Sequence, residues 1–433
     1  MYALRIKPPL PYKSDIRARQ PVNDLSFVHA NNFESIVIII LPDLAVGHVR
    51  GMQPSVSAFR GRSVLCRYLA SSRTPPCTKP FSSKRQWESL ENEIRSRHIP
   101  VVHDYLTPRE SFLLNLTLSD HLPRYSAKSV YDKARLPSTQ DAYDLPPSHH
   151  MVYFPPTMPN SKMLPDGTDP LQSPQGEFTR RMWAGGEVHF NSSASARLKM
   201  DGSRVACVDS IENVAVKRPD SETPLIFVSV ERQIGRVTEG ESDDAVRKRL
   251  GREGEASTRE IRNLVFMKPS KQGQHIGPAR TQQPEHQGAE DFSHVVEPDA
   301  KLLFRYSALT FNAHAIHLDP EYCKQVEGLR GLLFHGPLCL TFFCTLLRLH
   351  LIGRTGSTKR GFETLKSIKY RNTHPLFCNE PVRFSGKQTG SNHWTMWAET
   401  PEGSLAATAD IVTEQVDWIP GDVFEDVRAL NIQ

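Results

Sequence analysis

The 433-residue chain is 38% hydrophobic and contains 33 prolines. That length accommodates two ordinary domains, but the apolar content is too low for the whole of it to be compact. The formal net charge of +5 is modest and much of it sits near the N-terminus, which argues against a nucleic-acid-binding surface. No apolar run reaches the roughly 18 residues that cross a bilayer: residues 36–41 are too few, and residues 338–352 include Arg348 and His350.

Residues 44–87 contain no Asp or Glu, while Arg50, Arg60, Arg62, Arg67, Arg73, Lys79, Lys84 and Arg85 punctuate Ser, Ala and Leu. This is the composition of a mitochondrial transit peptide, so the first 87 residues are expected to be a disordered extension with an address for the mitochondrial matrix. Met52 opens the amphipathic part, in which Phe59, Val64, Leu65 and Leu69 share a helical face, and is the expected start of translation. Residues 88–122 have helical spacing, with Pro108 in a first turn. Residues 123–179, rich in Pro, Ser and Asp, read as a long irregular connection.

Alternation and β-branching then predict strands at residues 187–190, 195–200, 204–216, 225–234 and 261–267. Residues 235–257 are charged and loop-like, and residues 268–298 read as a flexible linker. A short strand is expected at 302–309. Residues 337–352, apolar on nearly every face, predict a helix buried on all sides. Strand-like segments follow at 366–370, 381–384, 393–399 and 405–412. One buried helix followed by four antiparallel strands suggests a curved sheet wrapped around that helix, the hot-dog arrangement.

The seven cysteines form no C-x-x-C pair, so they read as reduced thiols of an intracellular protein. His314 and His317 make an H-x-x-H, but no suitably spaced Cys, Asp or Glu completes a metal site. No metal and no cofactor is expected. Lys359, Arg360, Lys366, Lys369 and Arg371 read as a solvated basic face, with a landing site for the phosphates of a CoA or phosphopantetheine arm as the minority reading.

The chemistry concentrates between Tyr306 and Pro337. Residues 304–322 resemble the signature of the hydratase-2 and MaoC-like families, in which a D-x-N-P-x-H run precedes the buried helix. His317 falls on the family histidine, Asn312 on the aspartate, His314 on the asparagine and Ala315 on the proline. Gly331-Leu332-Leu333-Phe334-His335-Gly336-Pro337 resembles the second element, where a His-Gly pair opens the helix. Tyr306 to His317 is most similar to mitochondrial hydroxyacyl-thioester dehydratase type 2 and the mesaconyl-C4-CoA hydratases, with Ala315 in place of an Arg. Arg180-Arg181-Met182-Trp183-Ala184-Gly185-Gly186 resembles the same branch.

The resemblance implies an α+β double hot-dog: a repeat without catalytic residues at 88–267, a linker at 268–298 and a catalytic domain at 299–433. It further implies an (R)-specific hydratase/dehydratase of thioesters on CoA or acyl carrier protein, in the first instance the 3-hydroxyacyl-carrier dehydratase of mitochondrial type II fatty-acid synthesis. A mesaconyl- or itaconyl-CoA-type hydratase and a non-catalytic thioester-binding scaffold are the alternatives. A homodimer is an open expectation.

The residue types suit that chemistry. Adding water across a double bond conjugated to a thioester needs a proton acceptor for water, a donor to the α carbon and stabilisation of the enolate oxygen. His317, an imidazole, can exchange the proton near neutral pH, and Asn312 can hold the water without titrating. The amide of Gly336, at a helix N-terminus, suits the developing oxyanion. Tyr306, His314 and His335 are expected to border the substrate.

Overall fold

Among the described residues an antiparallel sheet of ten strands has the order β1-β3-β4-β5-β2-β7-β10-β9-β8-β6. The structure, a computed structural model, describes residues 84–123, 135–193, 195–269, 283–285, 287–355 and 362–416. The transit-peptide and start-site readings lie outside the described residues. The first five strands are β1 (Val102–Tyr105), β2 (Arg180–Phe190), β3 (Arg204–Lys217), β4 (Leu225–Arg236) and β5 (Thr258–Met267). The second five are β6 (Phe292–Val296), β7 (Phe362–Asn372), β8 (Val382–Gly390), β9 (His393–Glu399) and β10 (Leu405–Val416). Each set occupies its own contiguous half of the sheet, and β2 joins β7 where they meet. This is the expected double hot-dog.

Among the described residues six α-helices accompany the sheet: α1 (Lys84–Arg95), α2 (Pro108–Leu118), α3 (Asp243–Leu250), α4 (Ala300–Leu309), α5 (Pro320–Gln325) and α6 (Gly336–Thr355). Leu338, Leu340, Phe342, Phe343, Leu346, Leu347 and Leu351 of α6 are buried in the main core with Leu365 and Ile368 of β7 and Val382 and Phe384 of β8. Each such side chain contributes about 1.5–3 kcal/mol on burial. By length and composition α6 could cross a membrane, but 67% of that stretch is buried inside the protein, so it is the core helix of this fold. A smaller core joins Trp87 and Ile94 of α1 to Ile211, Val214, Ile226, Val228 and Phe266 of the first half.

Four expectations are corrected. Residues 302–309 form helix α4, not a strand. Asp299 caps it, accepting from the Leu302 amide at 2.8 Å, and Leu302, Leu303, Tyr306 and Ser307 make one buried helical face. Residues 195–200 form no strand; Lys199 makes one isolated bridge to Asp144, because this segment lies against another loop. Within 235–257 sits α3, capped by Ser242, with Asp243 and Asp244 in its first turn and Arg247, Lys248 and Arg249 in its last. Those charges complement the helix dipole at both ends. The expected linker at 268–298 contains β6, which pairs with β8 at the edge of the sheet.

The junction explains the Ala184-Gly185-Gly186 run. The β2–β5 register shifts between Trp183 and Gly185, and Gly185 has φ = +142°. A Cβ on Gly185 would stand 2.3 Å from the Tyr370 carbonyl oxygen, and one on Gly186 2.0 Å from that of Ile261. Only glycine lets the strands approach so closely. The bulge turns Trp183 toward the start of α6, where its Nε1 donates to the Tyr370 hydroxyl at 2.8 Å.

Candidate active site

Helix α4 ends in a tight turn that builds the first element of the site. The Thr310 amide donates to the Tyr306 carbonyl at 3.0 Å and the Asn312 amide to that of Ser307 at 2.8 Å. Between them Phe311 takes φ = +51°, the left-handed C-terminal conformation that usually falls to glycine. Asn312 Oδ1 then accepts from the His314 amide at 3.0 Å. One lone pair of its oxygen thus helps fold the loop, and its Nδ2 is available to donate.

A short turn, Ala315–His317, brings His317 under the residues that precede α6. His317 Nδ1 meets the Leu333 carbonyl at 2.8 Å, so Nδ1 carries the proton and Nε2 is left as the lone-pair nitrogen. The ring stacks on His335 at 3.7 Å between centroids, and His314 stands edge-on to it at 5.6 Å. His335 Nε2 pairs with Ser307 Oγ at 2.9 Å, while its Nδ1 is buried without a partner. Tyr306 is wholly buried, its hydroxyl 3.2 Å from Thr341 Oγ1 and its ring against His335.

The structure therefore brings His317, His314, His335 and Tyr306 into one cluster beside Gly336. Burial pushes the His317 imidazole down to about 4, against the raising effect of its bond to Leu333. Burial also holds His314 and His335 well below the ordinary histidine range, reinforced by the neighbouring imidazoles. All three are neutral near pH 7, the form in which histidine accepts a proton.

A cavity of about 430 Å³ adjoins the cluster. Asn312, Ala313 and Pro337 line it on one side and Arg181, Trp183, Val230, Arg232, Arg262 and Leu264 on the other. Tyr306, His314, His317 and His335 do not themselves line it. A Cβ on Gly336 would stand 3.0 Å from Trp183 Cβ and 2.9 Å from Asn372 Nδ2, so glycine keeps the mouth of α6 open. The Gly336 amide, first in the helix, has no intrahelical acceptor. Among the described residues no group of acids, cysteines and histidines is arranged to hold a metal.

Two contributions escaped the sequence reading. Asp166, in the expected irregular connection, is buried with its Oδ2 3.5 Å from His314 Nε2. Its only sequence signal is the Asp166-Gly167 turn pair. Arg181 was noted as part of a run, with no role. The basic residues Lys366, Lys369 and Arg371 are exposed on β7; Lys359 and Arg360 lie outside the described residues.

Residues 148–378 match the family described as hydroxyacyl-thioester dehydratase type 2. The chain is 30% identical over 270 residues to the mesaconyl-C(4)-CoA hydratase of Chloroflexus aurantiacus, covering 62% of this chain and 83% of that one. It is 26% identical over 307 residues to the mitochondrial hydroxyacyl-thioester dehydratase type 2 of Schizosaccharomyces pombe, covering 68% and 91%. Among solved structures, the MaoC-like dehydratase of Phytophthora capsici aligns with a TM-score of 0.46 at 16% identity, over 75% of this chain and 97% of that one. With more than half of the chain matched and the two motif elements assembled beside one cavity, the chain belongs to the hydroxyacyl-thioester dehydratase type 2 family and is a hydro-lyase acting on acyl thioesters.

Proposed function

We propose that the site performs (R)-specific addition and removal of water on an acyl thioester held in the cavity, with His317 as the proton-transferring base. The observation that carries this reading is the fixed tautomer: Nδ1 is committed to Leu333, which leaves a neutral Nε2 lone pair in a cluster beside the cavity. In the hydration direction a water O–H gives its proton to His317 as its oxygen bonds the β carbon. The π electrons shift toward the thioester oxygen, and the proton returns to the α carbon. Asn312 holds the water through Nδ2, and the Gly336 amide takes the enolate oxygen. Dehydration is the reverse.

The first substrate reading is a 3-hydroxyacyl group on acyl carrier protein in mitochondrial type II fatty-acid synthesis. The acid-free, arginine-punctuated stretch at residues 44–87 and the likeness to the fission-yeast mitochondrial protein support it. A second reading, hydration of a short branched dicarboxylyl-CoA, has one observation in its favour. In the cavity wall Arg232 is paired with Asp209 and Arg262 with Glu260, each at 2.8 Å. Arg181, in the same wall, has no ion pair within 4 Å among the described residues, and Asp166 and Asp169 act on it only at longer range. It stands in for the arginine missing at Ala315 as a cation for a substrate carboxylate.

The test is a hydration assay of the purified protein with crotonyl-CoA, mesaconyl-CoA and a crotonyl carrier protein side by side, each repeated with His317→Ala. Turnover of at least one thioester, abolished in the variant with the fold retained, is the expected result. Near-normal turnover by His317→Ala overturns the assignment, and no turnover of any thioester by the wild type favours a binding scaffold.

A further inference from the structure

Position 312 carries a carboxamide where the hydratase-2 pattern has a carboxylate, yet a buried carboxylate does reach the histidine cluster from the other half of the sequence. Asp166 lies 148 residues upstream of His314. Both are nearly excluded from solvent, at 6% and 5% exposure. Asp166 Oδ2 sits 3.5 Å from His314 Nε2. Its other oxygen is fixed by the Thr168 amide at 2.9 Å and the Thr168 hydroxyl at 2.7 Å.

The backbone of the same turn grips the same loop. The Ala315 amide donates to the Asp166 carbonyl at 2.8 Å. Gly167, at φ = +81°, lies so close that a Cβ there would stand 2.1 Å from the Ala313 carbonyl oxygen. A carboxylate clamped by two donors and set against an imidazole by main-chain contacts on both sides has little freedom to point elsewhere. Among the described residues no other carboxylate is within ion-pair distance of His314, His317 or His335.

Given the proposed role of His317, on which this step rests, we infer that Asp166 is a positioning residue for His314, supplying from a turn in the first half of the chain the carboxylate that residue 312 lacks. An Asp166 carboxylate facing Nε2 holds the His314 proton on that nitrogen and leaves Nδ1 as the acceptor. His314 then stands edge-on to His317 in a fixed tautomer, and positive charge arising on the pair during proton transfer is met by a counter-charge already in place. The groups acting on His314 are Asp166, His317, His335 and the Arg181 guanidinium. Burial, His317 and Arg181 oppose protonation of His314, and Asp166 is the one carboxylate within ion-pair distance of it among the described residues.

The experiment is a double-mutant cycle on kcat with one enoyl thioester, using Asp166→Asn, His314→Ala and the pair, with Thr168→Val as a milder change that loosens the clamp. Asp166→Asn is expected to lower kcat by about 10- to 100-fold, the range for loss of a carboxylate that orients a histidine, with KM little changed. Once His314 is gone, the second change should cost almost nothing. Selective ¹⁵N labelling of histidine should show Nε2 protonated in the wild type and a shifted tautomer ratio in Asp166→Asn, and Thr168→Val should show both effects in smaller size. Fully additive losses, an effect on KM alone, or an unchanged tautomer in Asp166→Asn and Thr168→Val would overturn the inference while leaving the hydro-lyase reading intact. A wild-type protein inactive on every thioester would overturn both.

Discussion

The two halves of the sheet have the same number of strands and share one continuous ladder, yet they contribute opposite things to the site. The second half holds the long core helix, the cluster of three imidazoles, of which His317 and His335 are stacked, and the glycine that opens the helix. The first half has no such cluster, but it supplies Arg181, Trp183, Arg232, Arg262 and Leu264 to the cavity and Asp166 to His314. A repeat lacking the catalytic motif is therefore not a spacer. On the roles proposed for Arg181 and Asp166, it contributes selection and placement to the reacting half.

Substitutions on either side should separate those roles. The largest effect belongs to the second half: His317→Ala should cost about two to four orders of magnitude in kcat on any accepted thioester, the usual contribution of positioned proton transfer, with the thermal transition retained. Asn312→Ala should lose most activity by releasing the water. Asn312→Asp keeps the oxygen that caps His314 and should recover part of it, measured as initial rates beside the wild type. Gly336→Ala comes next, because its methyl must displace Trp183 or Asn372. Overpacking of this kind costs about 1–3 kcal/mol, read as a lowered melting temperature together with lowered kcat.

In the first half, Arg181→Met should leave the reaction type unchanged but alter selection. If the substrate carries a carboxylate, the ratio of kcat/KM for mesaconyl-CoA to that for crotonyl-CoA should fall by about tenfold or more, the value of a charge-assisted pair. A ratio that does not move returns the argument to the carrier-bound fatty chain. The smallest signal is in pH. Because the folded His317 titrates near 4 and an unfolded histidine near 6.5, the unfolded state binds more protons between those values. The contribution is fully present above about 6.5 and is lost as pH falls toward 4. Stability measured by urea unfolding should decline across that window, and the hydration rate should fall through its lower end.

Much of the second half was legible because its chemistry is local in the chain. His317, Asn312 and Gly336 lie within 25 residues of one another, and a helix apolar on nearly every face betrays its burial by composition. Asp166 and Arg181 were opaque as functional residues, since their roles depend on contacts made more than a hundred residues away in sequence. Helix α4 was misread because Leu302, Leu303, Tyr306 and Ser307 fit both an extended apolar run and a helical face; the decisive signal was the Asp299 cap. Strand β6 was missed for a different reason. Five residues with alternating half-exposure carry too little apolar weight to stand out from the polar sequence around them.

The β2–β7 ladder also joins the two halves of the sheet, through five residue pairs from Gly185–Arg371 to His189–Ser367. At the outer ends the sheet finishes in β1, of four residues, and β6, of five, short margins that offer little template to another chain. At the seam the strands are eleven residues each. A protein severed between Met267 and Phe292 would exchange the five pairs of that seam for an unpaired border on each fragment. Proteolytic nicking there is expected to leave the pieces associated, and separate expression of either piece is expected to give aggregates that co-expression dissolves.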